Sequence, residues 1–307
     1  DDLRKPDAVL ATAKHFVAYG AAEGGRDYDV ADISERTLHE VYLPPFKAAV
    51  DAGAQSIMAA FNEIAGVPMH AHRPLIEDLL RKEWGWDGLL VSDYTGVMEL
   101  MPHGVAADRK QAGALGLRAG VDVDMVSQIY VKDLPAEVKA GRVPMAQVDA
   151  SVRRVLNAKY RLGLFENPYR SCTDDGAHER AMTLTPQHRA DARRMAQKSL
   201  VLLENDNDVL PLSKSVRTLA VIGPLADHRR AMLGNWAVAG REEDAVTPIE
   251  GLKAALGDGT RLVIAKGADI DSQDTSGFAQ AVAAAKQADA VVMFLGEHPD
   301  MSAEANN

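Results

Sequence analysis

Cysteine is nearly missing from this chain. Cys172 is the single one in 307 residues, which excludes an internal disulfide, and no Cys/His cluster has zinc-ligand spacing. One cysteine fits a reducing compartment, and it equally fits a bacterial periplasmic protein built without disulfides. Long apolar runs are also missing: none approaches the roughly 20 residues that cross a bilayer. No basic block stands out. Residues 1–167 carry 19 Lys/Arg against 24 Asp/Glu and the remainder 15 against 20, so each part holds −5 of the net −10. An evenly acidic chain disfavours nucleic acid and anionic membranes as partners. There is no internal repeat and no low-complexity segment. Asp1-Asp2-Leu3-Arg4 has neither an initiator Met nor a signal-peptide pattern, so the chain reads as an internal piece of a longer protein.

What is present is ordinary globular sequence. Hydrophobic residues make up 47% and charged residues 25%, enough apolar surface to offset the entropy of ordering the chain. The length suggests two domains. In residues 1–167, apolar runs at Val9–Phe16, Gln55–Phe61, Gly88–Asp93 and Gly120–Val126 predict strands. Helix-like stretches lie between them at Ser34–Ala52, Pro74–Trp84 and Asp108–Arg118, with Ser34 and Pro74 placed as start signals. This βαβα rhythm implies parallel strands with crossover helices. Four strands are half of what a closed eight-stranded barrel needs, so the region is a small open sheet or the second half of a barrel. Helices are predicted over Leu134–Gly141 and Met145–Leu162, the second with a stripe of Val148, Val152, Val155, Leu156 and Tyr160. Residues 168–197 read as a linker, although His188–Lys198 looks helical. A second α/β domain then occupies 198–307. Its predicted strands are Leu200–Leu203, Thr218–Gly223, Arg261–Lys266 and Ala290–Gly296, with an Ala-rich helix at Phe278–Ala288.

Functional groups of parallel α/β folds gather at the carboxyl ends of strands. Those ends carry Lys14 and His15, then Met58, then Asp93 and Tyr94. Cationic donors, a carboxylate and apolar walls suit a sugar. Each residue also has a plain reading. An Asp ending a strand is commonly a cap or turn residue, a Lys-His pair is commonly at the surface, and a lone Met is commonly core filler. His70 and His72 form an HxH pair without carboxylate or Cys partners, and read as solvated, structural loop histidines. Gly24-Gly25 lacks the spacing of a nucleotide-binding loop.

Longer motifs carry a resemblance. Lys14-His15-Phe16, Gly24-Gly25-Arg26-Asp27-Tyr28, Tyr42-Leu43-Pro44-Pro45-Phe46 and Ile57-Met58-Ala59-Ala60-Phe61-Asn62 stand in order. So do Leu79-Leu80-Arg81-Lys82-Glu83-Trp84-Gly85-Trp86-Asp87-Gly88, Val91-Ser92-Asp93, Ser199–Asn205 and Leu219–Pro224. In these the chain resembles glycoside hydrolase family 3, nearest to its bacterial periplasmic β-glucosidases. The resemblance implies an α/β protein: the C-terminal half of a (β/α)8-type barrel, followed by an α/β/α sandwich truncated at its C-terminus. It implies a retaining β-glucosidase acting on β-glucosides or cello-oligosaccharides, with no cofactor and no metal, in the periplasm or secreted; a homodimer is left open. By motif matching Asp93 is the nucleophile, and Lys14, His15 and Met58 line the subsite where cleavage occurs. Tyr94 faces the aglycone side. Glu304 matches the acid/base best, and Glu297 matches a structural or pocket residue. Phe61 stands where many members have Tyr, so one hydrogen bond near the nucleophile would be missing. The early barrel strands that bring a sugar-binding Asp and Arg lie outside this sequence. Lys14-His15-Phe16-Val17-Ala18-Tyr19-Gly20 differs from the Lys-His-Phe-Pro-Gly-His-Gly of the N-acetylhexosaminidases, favouring the glucosidase side. The alternatives are a β-xylosidase or other exo-β-glycosidase, an inactive fragment, and a Schiff-base aldolase barrel using Lys14.

Overall fold

The computed structural model describes residues 3–5, 8–170, 172, 175–302 and 304. The chain divides into two compact units, Asp1–Arg189 and Ala190–Asn307.

In the first unit the apolar runs become strands. β1 (Thr12–Phe16) is followed by the two-residue β2 (Val30–Ala31), then β3 (Ser56–Ala59), β4 (Glu63–Ile64), β5 (Val67–Pro68) and β6 (Leu89–Val91). β1, β3 and β6 form one parallel sheet with β3 in the middle. Met58 is in register with Val91, and Val91 bridges Val123 in parallel. That bridge is where the fourth predicted run joins the sheet. Its stretch lies beside β6 but makes one ladder contact instead of forming a full strand. β2, β4 and β5 form a separate small sheet that the sequence reading missed. Two-residue strands carry no alternation long enough to detect.

The helices start where their side chains dictate. Ser34 Oγ accepts from the Thr37 N–H at 3.1 Å, and Asp108 caps Arg109–Ala119 by accepting from the Gln111 N–H at 2.8 Å. Pro74 opens a π-helical segment, Pro74–Glu83, whose inward face buries Leu75, Ile76, Leu79 and Leu80. These pack with Phe16, Ile57 and Leu90 in the main core. The Phe16 ring meets Phe46 edge-on at 5.2 Å. The Met145–Arg161 helix has its expected length, but Val152, Leu156 and Tyr160 of its stripe are exposed.

One polar cluster is built around a fully interior carboxylate. The Asp122 side chain is 0% exposed. It accepts from Arg81 Nη2 at 2.8 Å, Arg154 Nη1 at 2.8 Å and the Leu90 N–H at 2.9 Å. Arg81 also donates to the carbonyls of Gly88 and Gly120 and lies over the Trp86 ring. Burial lowers the Arg81 pKa, and Asp122 counters that shift. The Trp-Asp-Gly turn is thereby explained: Trp86 donates to the Ala54 carbonyl at 2.8 Å, and a Cβ at Gly88 would lie 2.5 Å from the Trp86 ring.

In the second unit β7 (Thr218–Ile222) is central, between β8 (Arg261–Ala265) and β9 (Ala290–Met293), all parallel. Alternate residues of β7 enter two cores. Leu219 and Val221 pack with Ile249, while Ala220 and Ile222 pack with Ala265 and Ala284. A strand covered on both faces reads as a continuous apolar run, which is why it was legible. Thr247 and Glu250 form a capping box on the Pro248–Leu256 helix.

One expectation fails here. Leu200–Leu203 is not a strand: it has no regular structure, and Leu203 is 91% exposed. Its apolar side chains find no sheet edge and no core within its unit. The helix expected over His188–Lys198 is present as Pro186–Ser199, and a shorter helix, Ala177–Met182, precedes it. No described helix is long and apolar enough to cross a membrane.

Candidate active site

The carboxyl ends of the parallel strands β1, β3 and β6 share one edge, and His15 and Asp93 meet there. His15 Nε2 lies 3.3 Å from Asp93 Oδ2, reaching past β3. Asp93 is buried. Its Oδ1 accepts from the Tyr94 N–H at 2.7 Å. Its Oδ2 accepts no hydrogen bond, so the approach of His15 is a close polar contact without hydrogen-bond alignment. One carboxylate oxygen is therefore anchored, and the other, buried, accepts no hydrogen bond beside the His15 imidazole.

Backbone bonds fix the segment that carries this carboxylate. The Ser92 N–H donates to Val123 O at 2.9 Å, the Thr95 N–H to Met125 O at 3.2 Å and the Gly96 N–H to Asp93 O at 3.1 Å. Ser92 Oγ accepts from the Met125 N–H at 2.8 Å and donates to Asp93 O at 2.9 Å. The Asp93 N–H has no strand partner. It donates to His70 Nε2 at 3.0 Å.

His70 corrects the sequence reading. It is 2% exposed, not a solvated loop residue, because the short helical turn Met69–Ala71 that follows β5 buries Met69 and His70. The Met69 N–H donates to Asn62 O at 3.1 Å, and Asn62 Nδ2 donates to Val17 O at 3.2 Å. Burial, followed by the like charge of His103, lowers the His70 pKa to about 3.

The other predicted residues differ in exposure. Met58 is half-buried on β3, in register with Val91. Lys14 is exposed and makes no ion pair or hydrogen bond with the described residues. Tyr94 is 60% exposed. Phe61 is fully interior and packs on Tyr28 at 4.2 Å, with Tyr19 and His70 around it. A ring there fills an aromatic cluster. Tyr19 donates to Asp27 and meets the His15 ring at 5.0 Å, so the Gly-Gly-Arg-Asp-Tyr loop reaches the site through Asp27 and Tyr28.

In the second unit Glu304 accepts from Trp236 Nε1 at 3.1 Å, and both side chains are exposed. Glu297 is also exposed. A partner 68 positions away has no signal in the sequence. Among the described residues no group of three or more His, Cys, Asp or Glu could hold a metal ion.

Two family matches cover nearly the whole chain. The Glycosyl hydrolase family 3 N terminal domain matches residues 3–158 and the Glycosyl hydrolase family 3 C-terminal domain matches 200–307. The chain belongs to glycoside hydrolase family 3. It is 40% identical to a periplasmic beta-glucosidase of Salmonella typhimurium over 98% of this chain and 42% of that protein. It is 41% identical to a beta-xylosidase of Formosa agariphila over 94% of this chain and 41% of that protein. The crystal structure of a beta-glucosidase from Listeria innocua superposes with a TM-score of 0.87 at 35% identity, covering 99% of this chain and 41% of that one. A point mutant of the Listeria enzyme was solved in complex with laminaribiose. The chain thus spans about two fifths of the length of the curated relatives it matches. Within this family the mixed α/β architecture is the expected one.

Proposed function

We propose that the protein of which this chain forms part is a retaining exo-β-glycosidase, a β-glucosidase, with Asp93 as its nucleophile. The observation that carries this reading is the pair of unequal oxygens on Asp93: Oδ1 held by the Tyr94 N–H, Oδ2 accepting no hydrogen bond and facing His15. A nucleophile needs an oriented carboxylate with one uncommitted lone pair. Oδ2 attacks the anomeric carbon as the glycosidic C–O bond breaks. A carboxylic acid gives its proton to the departing oxygen, leaving a covalent glycosyl–Asp93 ester. The same carboxylate then takes a proton from water, which attacks the anomeric carbon and releases Asp93. Glu304 is assigned that second role, and its Oε2 accepts from the Trp236 N–H. Retention calls for the two carboxyl groups about 5–5.5 Å apart.

Lys14 and His15 are assigned to sugar hydroxyls, Met58 to the apolar wall of the same subsite, and Tyr94 to the aglycone side. Lys14 has its ammonium uncommitted, as a hydroxyl ligand requires. The architecture proposed is the C-terminal half of a (β/α)8-type barrel (1–167), a connecting segment (168–197) and an α/β/α sandwich (198–307). Substrates would be β-glucosides, including cello-oligosaccharides, and the Salmonella relative's name supports a periplasmic site. A β-xylosidase is the second reading, favoured by the Formosa relative; the two differ at the sugar's hydroxymethyl group.

The test is hydrolysis of aryl β-glucosides and β-xylosides by the intact protein, followed by proton NMR before mutarotation. The reading predicts faster glucoside turnover, with the β-anomer formed first. A first-formed α-anomer would overturn the double displacement, and faster xyloside turnover would move the assignment to the second reading.

A further inference from the structure

We propose that His70 is a positioning residue for Asp93: its ring nitrogen captures the backbone N–H that the chain frees as it leaves β6, and so aims the carboxylate. The inference rests on the reading of Asp93 as nucleophile and adds a residue to that site.

Geometry carries it. Around the turn, the N–H groups of Ser92, Thr95 and Gly96 find backbone carbonyls, and that of Tyr94 finds Asp93 Oδ1. The Asp93 N–H alone depends on a side chain contributed from elsewhere in the fold. An unpaired N–H at a buried position is costly, so without this acceptor the turn would rotate toward another partner and carry the carboxylate with it. The ring is itself confined. A Cβ on Gly96 would lie 2.3 Å from both Cε1 and Nε2 of His70. Glycine stands at 96 for clearance, since a side chain there would displace the imidazole from Asp93.

The acceptor role fixes the chemistry of the ring. Nε2 must offer its lone pair, so the proton sits on Nδ1 and the imidazole is neutral. The groups facing it favour that state. His103 stands near as a like charge, and its Nδ1 lies 2.6 Å from Glu63 Oε1. Asp93 presents its N–H to the ring, while its carboxylate lies toward the Tyr94 N–H and His15. A neutral ring keeps the bond through the acidic range.

Two measurements on the intact protein test this. Long-range proton–nitrogen correlation on protein labelled with ¹⁵N-histidine should assign His70 as the Nδ1–H tautomer from about pH 8 to about pH 5. An Nε2–H tautomer, or an imidazolium at the acid end of that range, would overturn the proposal whatever Asp93 does. The second is the rate of covalent trapping by 2-deoxy-2-fluoro-β-glucosyl fluoride. His70→Met, which has no comparable acceptor, should trap about 10- to 100-fold more slowly. His70→Gln, whose amide oxygen can replace Nε2, should recover most of the rate. Equal losses in the two variants would mean that the ring is packing only. Wild-type protein that takes no label at Asp93 removes the role together with the reading it rests on. A labelled wild type with an unchanged His70→Met rate removes the role alone. If His70→Met does not fold, the tautomer and the His70→Gln rate still decide.

Discussion

Asp122→Ala should be among the most damaging single substitutions in the first unit, although Asp122 touches no group assigned to catalysis. Its carboxylate accepts from two guanidinium groups and from the Leu90 N–H, all within 2.9 Å. Arg154 is partly exposed and can recover water. Arg81 cannot, because its side chain is 5% exposed, burial already disfavours its charge, and as an ion-pair partner among the described residues it would keep only the more distant, partly exposed Glu77 at 3.4 Å. Removing one partner of a buried ion pair costs about 3–5 kcal/mol, chiefly through the charge left behind. For a unit of this size each kcal/mol moves the melting temperature by about 2–4 °C, so a fall of about 6–20 °C is expected. Thermal melts with urea titrations as a check would measure it. Removing both charges with Arg81→Met and Asp122→Leu should cost less than Asp122→Leu alone, because no orphaned cation remains at the core. A shift below about 3 °C for Asp122→Ala, or a double variant worse than the single, would refute the reasoning. The network also holds Leu90, three residues before Asp93, so any folded Asp122→Ala protein should be trapped more slowly.

The remaining predictions concern the site itself. The His70 pKa is lowered from 6.5 to about 3 in the folded protein, so between those pH values the unfolded chain binds the extra proton. Stability contributed by the neutral ring is therefore complete above pH 6.5 and falls by about 1.4 kcal/mol for each pH unit down to about pH 3. Urea midpoints against pH should fall less steeply for His70→Gln, and identical slopes would contradict the shift. Gly96→Ala forces a Cβ into the His70 ring and should cost about 1–3 kcal/mol while slowing the trapping of Asp93; a melt unchanged from wild type would show that the ring can move aside. Trp236→Phe removes the donor on Glu304. It should lower kcat/KM for glucosides with poor leaving groups while sparing those whose aglycones depart without a proton, and an equal loss for both would separate Trp236 from proton transfer.

Much of this fold can be read from the sequence because its strands are apolar and its helices are capped. β7 is apolar at every position that faces a core, and Ser34 and Asp108 announce their helices. Leu200–Leu203 deceives for the same reason: an apolar run predicts burial, and among the described residues these four side chains are exposed. The Arg81-to-Gly88 stretch carries the family resemblance, yet its Arg81, Trp86 and Gly88 serve packing and the Asp122 network. The meeting of His15 with Asp93 is legible because strand ends converge by topology. His70 is not, since an HxH pair looks alike whether its turn faces water or the core. Only the pairing of Asn62 with Val17 and Met69 decides which. Trp236 and Glu304 meet across 68 residues, a distance over which no local pattern speaks.

The central claim is that Asp93 Oδ2 attacks the anomeric carbon. Its most direct test is intact mass and peptide mapping after incubation with an activated 2-deoxy-2-fluoro-β-glucoside, because the fluorine slows release of the intermediate. The account predicts one added fluoroglucosyl group on the peptide containing Asp93 and none on Asp93→Ala. A label on a different carboxylate, or undiminished labelling of Asp93→Ala, would contradict it.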